Sequence, residues 1–242
     1  MIRLETHCHT KYSKDSMLPF SLLYLKCRVC HINWIAITEH NNVLGAMEFK
    51  KYCAKKKNRV HVIVGSEIMT SEGEVIGLFL KEEIPSGLSC QETIHLIHRQ
   101  GGIVYVPHPY DDKRAKTVLH EDCIRDNASD IDCIECYNGR NVSDFYEMKQ
   151  TEIVKKYGLQ AVIGSDAHTI WEVARNYMIV DCTPDSPENF KKAIVGADFH
   201  KKKCLGFCHK ITKGVKLLRL IKKGNFHEIY RVIKKRLGKP VQ

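Results

Sequence analysis

Six short β-rich runs in this chain each lead into residues that can hold a metal ion or move a proton. His7 and His9 follow residues 2–6. Glu39 and His40 follow 34–38, and Glu67 follows 60–65. His108 follows 103–106, Glu135 follows the Ile at 134, and Asp166 and His168 follow 161–164. A single polar residue after a strand is ordinarily a solvated loop residue, but six such endings call for another explanation. His7 and His9 are two apart, so on a strand both side chains face one side. Asp166 and His168 repeat that spacing. Cys8 then faces away, into core packing. Imidazoles mixed with carboxylates suit Zn, Mn or Fe, whereas an all-oxygen set would suit Mg or Ca. At about three to five protein ligands per ion, the eight candidates His7, His9, Asp15, His40, Glu67, His108, Asp166 and His168 are enough for two or three ions. A carboxylate such as Glu67 can bridge two of them. Glu135 is expected behind the ligands, orienting one of them.

Such residues converge only if the elements bring them to one place. The β-rich runs, with further ones at 75–80 and 177–181, alternate with helical stretches at 18–30, 44–57, 89–99, 143–157 and 187–195. Ile94, Ile97 and His98 show the helical spacing. Gly101-Gly102 and Gly158 stand where helices end. Strands alternating with helices indicate an α/β parallel sheet or barrel. In barrels of that kind, sites collect where the C-terminal strand ends converge.

The chain has 242 residues, 43% hydrophobic and 27% charged, with a mean hydropathy of −0.30. That composition excludes disordered and collagen-like chains. No apolar run approaches the roughly 18 residues of a membrane span. No export-type leader precedes His7, so a cytoplasmic protein is expected. The net charge of +10 is uneven. Residues 201–242 hold 14 Lys and Arg against one acid, Glu228, which gives the tail +13 and leaves the body at −3. The division expected is a body at 1–200 and a basic amphipathic helical tail at 201–242. The tail is expected to form two short helices, at 215–223 and 226–237. Its apolar stripe can pack on the body or a second subunit, and its lysines can contact an anionic membrane surface or nucleic acid. The eleven cysteines suggest reduced thiols. Cys27, Cys30 and His31 match the spelling of a haem attachment, but core thiols in a helix are the expectation. Cys204, Cys208 and His209 could join them around zinc, although nothing in the spacing demands it.

The ordered set of motifs resembles the PHP family of metal-dependent phosphoesterases, named for members in DNA polymerases and histidinol phosphatases. ETHCHTKYSKDS resembles its first motif and ITEHN its second. VGSEI resembles the Gly-x-Glu motif, VPHP supplies the isolated His, and IECYNGR and IGSDAH resemble the last two. The resemblance covers roughly residues 1 to 183. It implies a distorted barrel of parallel strands, a (β/α)7 arrangement, with two or three divalent ions (Mn, Zn or Fe). By the resemblance, one ion takes His7, His9, Glu67 and Asp166. A second shares Glu67 and takes His108, and a third takes Asp15, His40 and His168. Three departures stand out. Glu39 replaces the commoner Asp, and Ser16 replaces a usual Gly. Glu74 occupies the stretch where many members carry a further His. Glu74 is either a ligand of the second ion or an exposed strand-start glutamate, with ligation expected.

The chemistry implied is hydrolysis of a phosphate mono- or diester, of a small molecule or nucleotide, by a metal-bridged water turned nucleophile. Glu67 and Asp166 would act through the ions. Arg140 could fork onto a phosphate, with Arg175 a second candidate. Two rivals are a metal hydrolase acting on a carbon centre and a non-catalytic metal-binding module tethered by the basic tail.

Overall fold

The computed structural model describes residues 1–57, 59–111, 114, 116–222 and 224–225. Its strands are β1 (Ile2–Cys8), β2 (Trp34–His40), β3 (His61–Met69), β4 (Glu74–Leu78), β5 (Ile103–Val106), β6 (Cys133–Asn138), β7 (Gln160–Gly164), β8 (Tyr177–Val180) and β9 (Asp198–His200). The helices are α1 (Phe20–Val29), α2 (Leu44–Lys55), α3 (Cys90–Arg99), α4 (Glu121–Asp126), α5 (Asp144–Tyr157), α6 (Pro187–Ile194) and α7 (Gly206–Lys222). Local chemistry sets several boundaries. Ser89 and Glu92 form a capping box on α3, and Ser143 caps α5. Gly158, at φ 64°, ends α5 in the left-handed region that a glycine takes without strain.

All nine strands join one sheet in the order β7-β6-β5-β4-β3-β2-β1-β8-β9. It is not the all-parallel barrel expected. β1, β2 and β3 run parallel, as do β5, β6 and β7, but β4 is antiparallel to both its neighbours and β8 is antiparallel to β1. The reason lies in the connections. Parallel strands need a crossover of roughly a dozen residues, and between Met69 and Glu74 there is room only for a tight turn. Gly73, at φ 133° with backbone of Val118 and Leu119 against it, makes that turn. The sheet nearly closes on itself where β1 ends. Cys8 bridges Ala167 just beyond β7, and the His9 N–H donates to the Ala167 carbonyl at 2.8 Å.

Alternation along the strands separates two cores. Ile35, Ile37, Val62, Val64, Val75 and Val104 pack outward against the helices, with Cys27 of α1 buried among that layer. Ala36, Ile63, Ile76, Leu78, Ile103 and Tyr105 fill the barrel. Phe190 of α6 joins this inner core and meets Phe79, just beyond β4, ring to ring at 5.8 Å. Because β4 runs backwards, its C-terminal end lies away from the other strand ends, so these rings plug the far end. The barrel's other end is left to the polar residues.

The basic extension differs from expectation in its first helix. α7 starts at Gly206 instead of 215 and packs on the barrel through buried Cys208 and Val215. The second expected helix, 226–237, lies outside the described residues. Among the described residues, no helix is long and apolar enough to cross a membrane.

Candidate metal centre

The end of β1 delivers His7 and His9, both fully buried. Their Nε2 atoms lie 3.2 Å apart. His7 Nε2 is 3.5 Å from Glu67 Oε1 and 3.7 Å from Asp166 Oδ1. His9 Nε2 is 3.5 Å from Glu67 Oε2 and 3.3 Å from Asp166 Oδ1. Four ligands at about 2.1 Å from one ion stand about 3.4 Å from each other when tetrahedral, and the His7, His9 and Asp166 donors match that spacing at 3.2, 3.3 and 3.7 Å, with a different Glu67 oxygen 3.5 Å from each histidine.

Two further sets adjoin it. His108 Nε2 lies 2.9 Å from Glu67 Oε1 and 3.5 Å from Glu74 Oε2. Glu74 begins its strand, yet it is buried. Antiparallel β4 puts its first residue level with the last residues of its neighbours, Met69 opposite Glu74. On the other side, Asp15 Oδ1 sits 3.4 Å from His40 Nε2 and 3.2 Å from His168 Nε2. His40 joins both sets, since its Nδ1 lies 2.9 Å from Glu67 Oε2 and 3.7 Å from Glu74 Oε1. The spacing of sequence motifs does not show that double role.

Hydrogen bonds behind the candidate ligands choose which nitrogen faces inward. Glu135 takes the His7 Nδ1 proton at 2.8 Å. The Asp166 carbonyl takes that of His168 Nδ1 at 2.8 Å. Ser13 Oγ lies 3.0 Å from His9 Nδ1 and donates in turn to Glu39. Glu39, the departure from the commoner Asp, also accepts from the Thr10 N–H at 3.0 Å and the Thr10 hydroxyl. In each case Nε2 is left to face an ion. Backbone strain is stored here too, because His108 (φ 32°) and Asp166 (φ 52°) lie in the left-handed region. Gly164 is required because a Cβ there would stand 2.7 Å from the His7 Cβ and overlap Glu135.

The donor set fits divalent ions. Among the described residues, six buried side-chain polar atoms have no hydrogen-bond partner. Four of them, Asp15 Oδ1, His40 Nε2, Glu67 Oε2 and Asp166 Oδ1, are the inward-facing donors. Asp15, Glu67, Glu74, Glu135 and Asp166 bring five carboxylates against one guanidinium, Arg114. The protein's own charges show the strain. Burial opposes a charged His7, but Asp166, Glu135 and Glu67 outweigh it and lift the ring well above the usual histidine range. Burial together with His168 and His40 drives His9 down to about 3. Burial and the Glu67 charge both raise Glu74.

Several placements were not foreseen. Arg114 reaches the centre, with its Nη2 on Asp166 Oδ2 and its Nε donating to Asp111 Oδ2 at 3.0 Å. Its loop carries no periodic pattern that would have announced it. Arg140 is buried and engaged elsewhere. Its Nη2 donates to Thr212 Oγ1 at 3.1 Å and lies 3.4 Å from His209 Nδ1, while its Nε is 3.6 Å from Glu172 Oε1. Arg175 donates to the Lys203 carbonyl at the surface. Glu172, Cys204 and Cys208 form a further group with donor atoms close together. There Arg140 already stands where a cation would compete, and Glu172 Oε2 accepts from His168 N, Thr169 N and Thr169 Oγ1.

Comparison with known proteins identifies the family and the fold. A protein of unknown role from Methanocaldococcus jannaschii is 44% identical over 119 residues, 45% of this chain and 68% of its own length. Among solved structures, a two-domain protein from Bacteroides vulgatus, described as containing a predicted PHP-like metal-dependent phosphoesterase, superposes with a TM-score of 0.65 at 18% identity. The match covers 82% of this chain, which spans 65% of that one. A lesion-specific endonuclease from Pyrococcus furiosus superposes with a TM-score of 0.61 at 16% identity, over 82% of this chain and 57% of that one. At those identities the likeness is one of fold. The sequence model of the PHP domain matches residues 5–181, from the first strand through the Asp166 and His168 motif, and the chain belongs to the PHP family.

Proposed function

We propose that this chain is a metal-dependent phosphoesterase that hydrolyses a phosphate monoester or diester of a small molecule or nucleotide. The observation that carries the reading is the shell-sized set of His7, His9 and Asp166 with Glu67 beside both histidines, joined through Glu67 and His40 to two further donor sets. The mixed imidazole and carboxylate donors fit Mn, Zn or Fe. His7, His9, Glu67 and Asp166 would hold one ion. Glu67, Glu74 and His108 would hold a second, and Asp15, His40 and His168 a third.

When bound, the ions supply a water acidified to near neutrality and a positive field for the phosphoryl oxygens. The protein's own part is preorganisation. Glu135, Ser13 and the Asp166 carbonyl fix the ring orientations of His7, His9 and His168. Arg114 fixes the outer oxygen of Asp166 and places a positive charge beside the centre for a phosphoryl oxygen. Arg140 serves the site indirectly, by seating α7 on the barrel. Residues 1–200 form the catalytic body in this reading and 201–242 the basic extension, suited to anionic partners. The free cysteines suit a reducing, cytoplasmic setting.

The test is to purify the chain without chelator, count its metals by elemental mass spectrometry, and assay p-nitrophenyl phosphate, bis(p-nitrophenyl) phosphate and p-nitrophenyl acetate. Two or three ions per chain and chelator-sensitive turnover of a phosphate ester are expected. Turnover of the acetate alone would instead indicate hydrolysis at a carbon centre.

A further inference from the structure

We infer that helix α7, which lies beyond the matched PHP segment, is a working part of the metal centre, because its Arg219 holds in place the loop that carries Asp15. This rests on the metal-centre reading above.

Asp15 lies on the stretch between β1 and α1, which has neither helix nor strand to fix it. Yet its Oδ1 has to stay 3.2 Å from His168 Nε2 and 3.4 Å from His40 Nε2. The loop is tied at its base, where the Lys11 N–H donates to the Leu18 carbonyl at 3.0 Å. The Ser16 hydroxyl donates to the His168 carbonyl at 2.9 Å. The third tie comes from more than two hundred residues away. One terminal nitrogen of Arg219, Nη2, donates to both the Lys11 carbonyl at 2.7 Å and the Ser16 carbonyl at 2.6 Å. Those carbonyls flank Asp15, so the guanidinium fixes the width of the loop that aims the carboxylate. A nitrogen with two hydrogens meets both at once, and a charged donor makes each bond stronger than a neutral one.

Arg219 can do this because α7 is itself clamped. Cys208, Thr212, Val215 and Arg219 follow i, i+4, i+7, i+11 spacing and share one helix face. Cys208 and Val215 are buried. Thr212 takes the Arg140 donor, the Thr169 hydroxyl meets Cys208 Sγ at 3.5 Å, and the Cys204 N–H donates to the Gly139 carbonyl at 2.7 Å. The helix therefore runs from the segments after β6 and β7 at its start to the loop after β1 at its end. It straps together the loops that supply Asp166, His168 and Asp15.

Full-length wild type is to be compared with Arg219→Ala, Arg219→Lys and, as a control on an exposed position of α7, Lys213→Ala. Two quantities are read: ions per chain after equilibration with Mn or Zn, and amide hydrogen exchange of residues 10–18 in the metal-free protein. Arg219→Ala should lose about one ion per chain, and its loop amides should exchange about tenfold faster, with β2 and β3 protected as before. Arg219→Lys should recover part of both, and Lys213→Ala should match wild type. An Arg219→Ala protein with wild-type ion content and wild-type loop exchange overturns the inference. Should Arg219→Ala lose protection everywhere, Arg219→Lys decides: partial loss confined to the loop supports the strap, and no change overturns it. Asp15→Asn separates the two readings. If it removes no ion, the third set fails as a metal site, and the exchange comparison alone then judges the hold of Arg219 on the loop.

Discussion

Glu135 accepts the Nδ1 proton of His7 at 2.8 Å, and so it decides that Nε2 of that ring faces the centre. The same carboxylate accepts from the His108 N–H at 2.6 Å, the Asn138 amide at 2.8 Å and the Tyr105 hydroxyl. One buried acid thus sets two proposed ligands from different strands. Glu135→Gln keeps the shape but offers an amide where an acceptor is needed. Its metal affinity should fall about 10–100-fold, measured by competition with a coloured chelator. Wild-type affinity in a folded variant would show that the pairing is incidental.

His7→Ala and Asp166→Ala remove donors of the shell-sized set that His7, His9 and Asp166 form. Each should cost several kcal/mol of transition-state stabilisation, about 10³-fold or more in turnover of a phosphate ester. The barrel should survive, because its packing comes from Ile63, Ile76, Ile103 and their neighbours. Circular dichroism checks the fold and p-nitrophenyl phosphate the activity. Turnover retained in both variants would place the site elsewhere.

Glu74 lies 3.7 Å from His40 Nδ1 and 3.5 Å from His108 Nε2, and burial and Glu67 both raise it. A buried acid with a raised value stabilises the fold below its ordinary value of 4.5 and loses that contribution as pH rises. Glu74→Gln should therefore melt higher than wild type without metal at pH 8. With metal the order should reverse, because one ion loses a ligand. Melting with and without chelator tests this, and a variant less stable in both states would contradict it.

How much of this could be read beforehand depends on the distance over which each feature is written. The β-rich runs and their polar endings are local, and residues 103–106 form β5 as expected. The direction of β4 was also written locally, in the short interval from Met69 to Glu74, but alternation of strands and helices drew attention away from it. The double role of His40 and the arrival of Arg114 at Asp166 are tertiary relations with no spacing rule behind them. Arg140 has the right chemistry for a phosphate, and only the packing of Glu172 and α7 around it shows what it touches. The start of α7 was missed because Gly206 and Gly214 read as breaks, although Cys204, Cys208, Ile211 and Val215 already follow helical spacing.

The ionisation of the centre sets a final expectation. Without metal, Asp166, Glu135 and Glu67 lift His7 well above 6.5 against the effect of burial, and Glu67 and Asp15 do the same for His40. A ring whose value is raised on folding contributes stability fully below about pH 6.5 and loses it as pH climbs through the raised value. Glu5, lifted to about 8 by burial, acts in the same direction. His9, lowered to about 3, works the other way, as one ring against two. The metal-free protein should therefore melt at a lower temperature at pH 8 than at pH 6. Metal binding needs neutral rings and strengthens as protons leave, so added Mn or Zn should give its largest rise in melting temperature at pH 8. The measurement is a set of melting curves at the two pH values with chelator or metal. A metal-free protein that gains stability between pH 6 and 8 would mean that these histidines are not charged by their carboxylate neighbours.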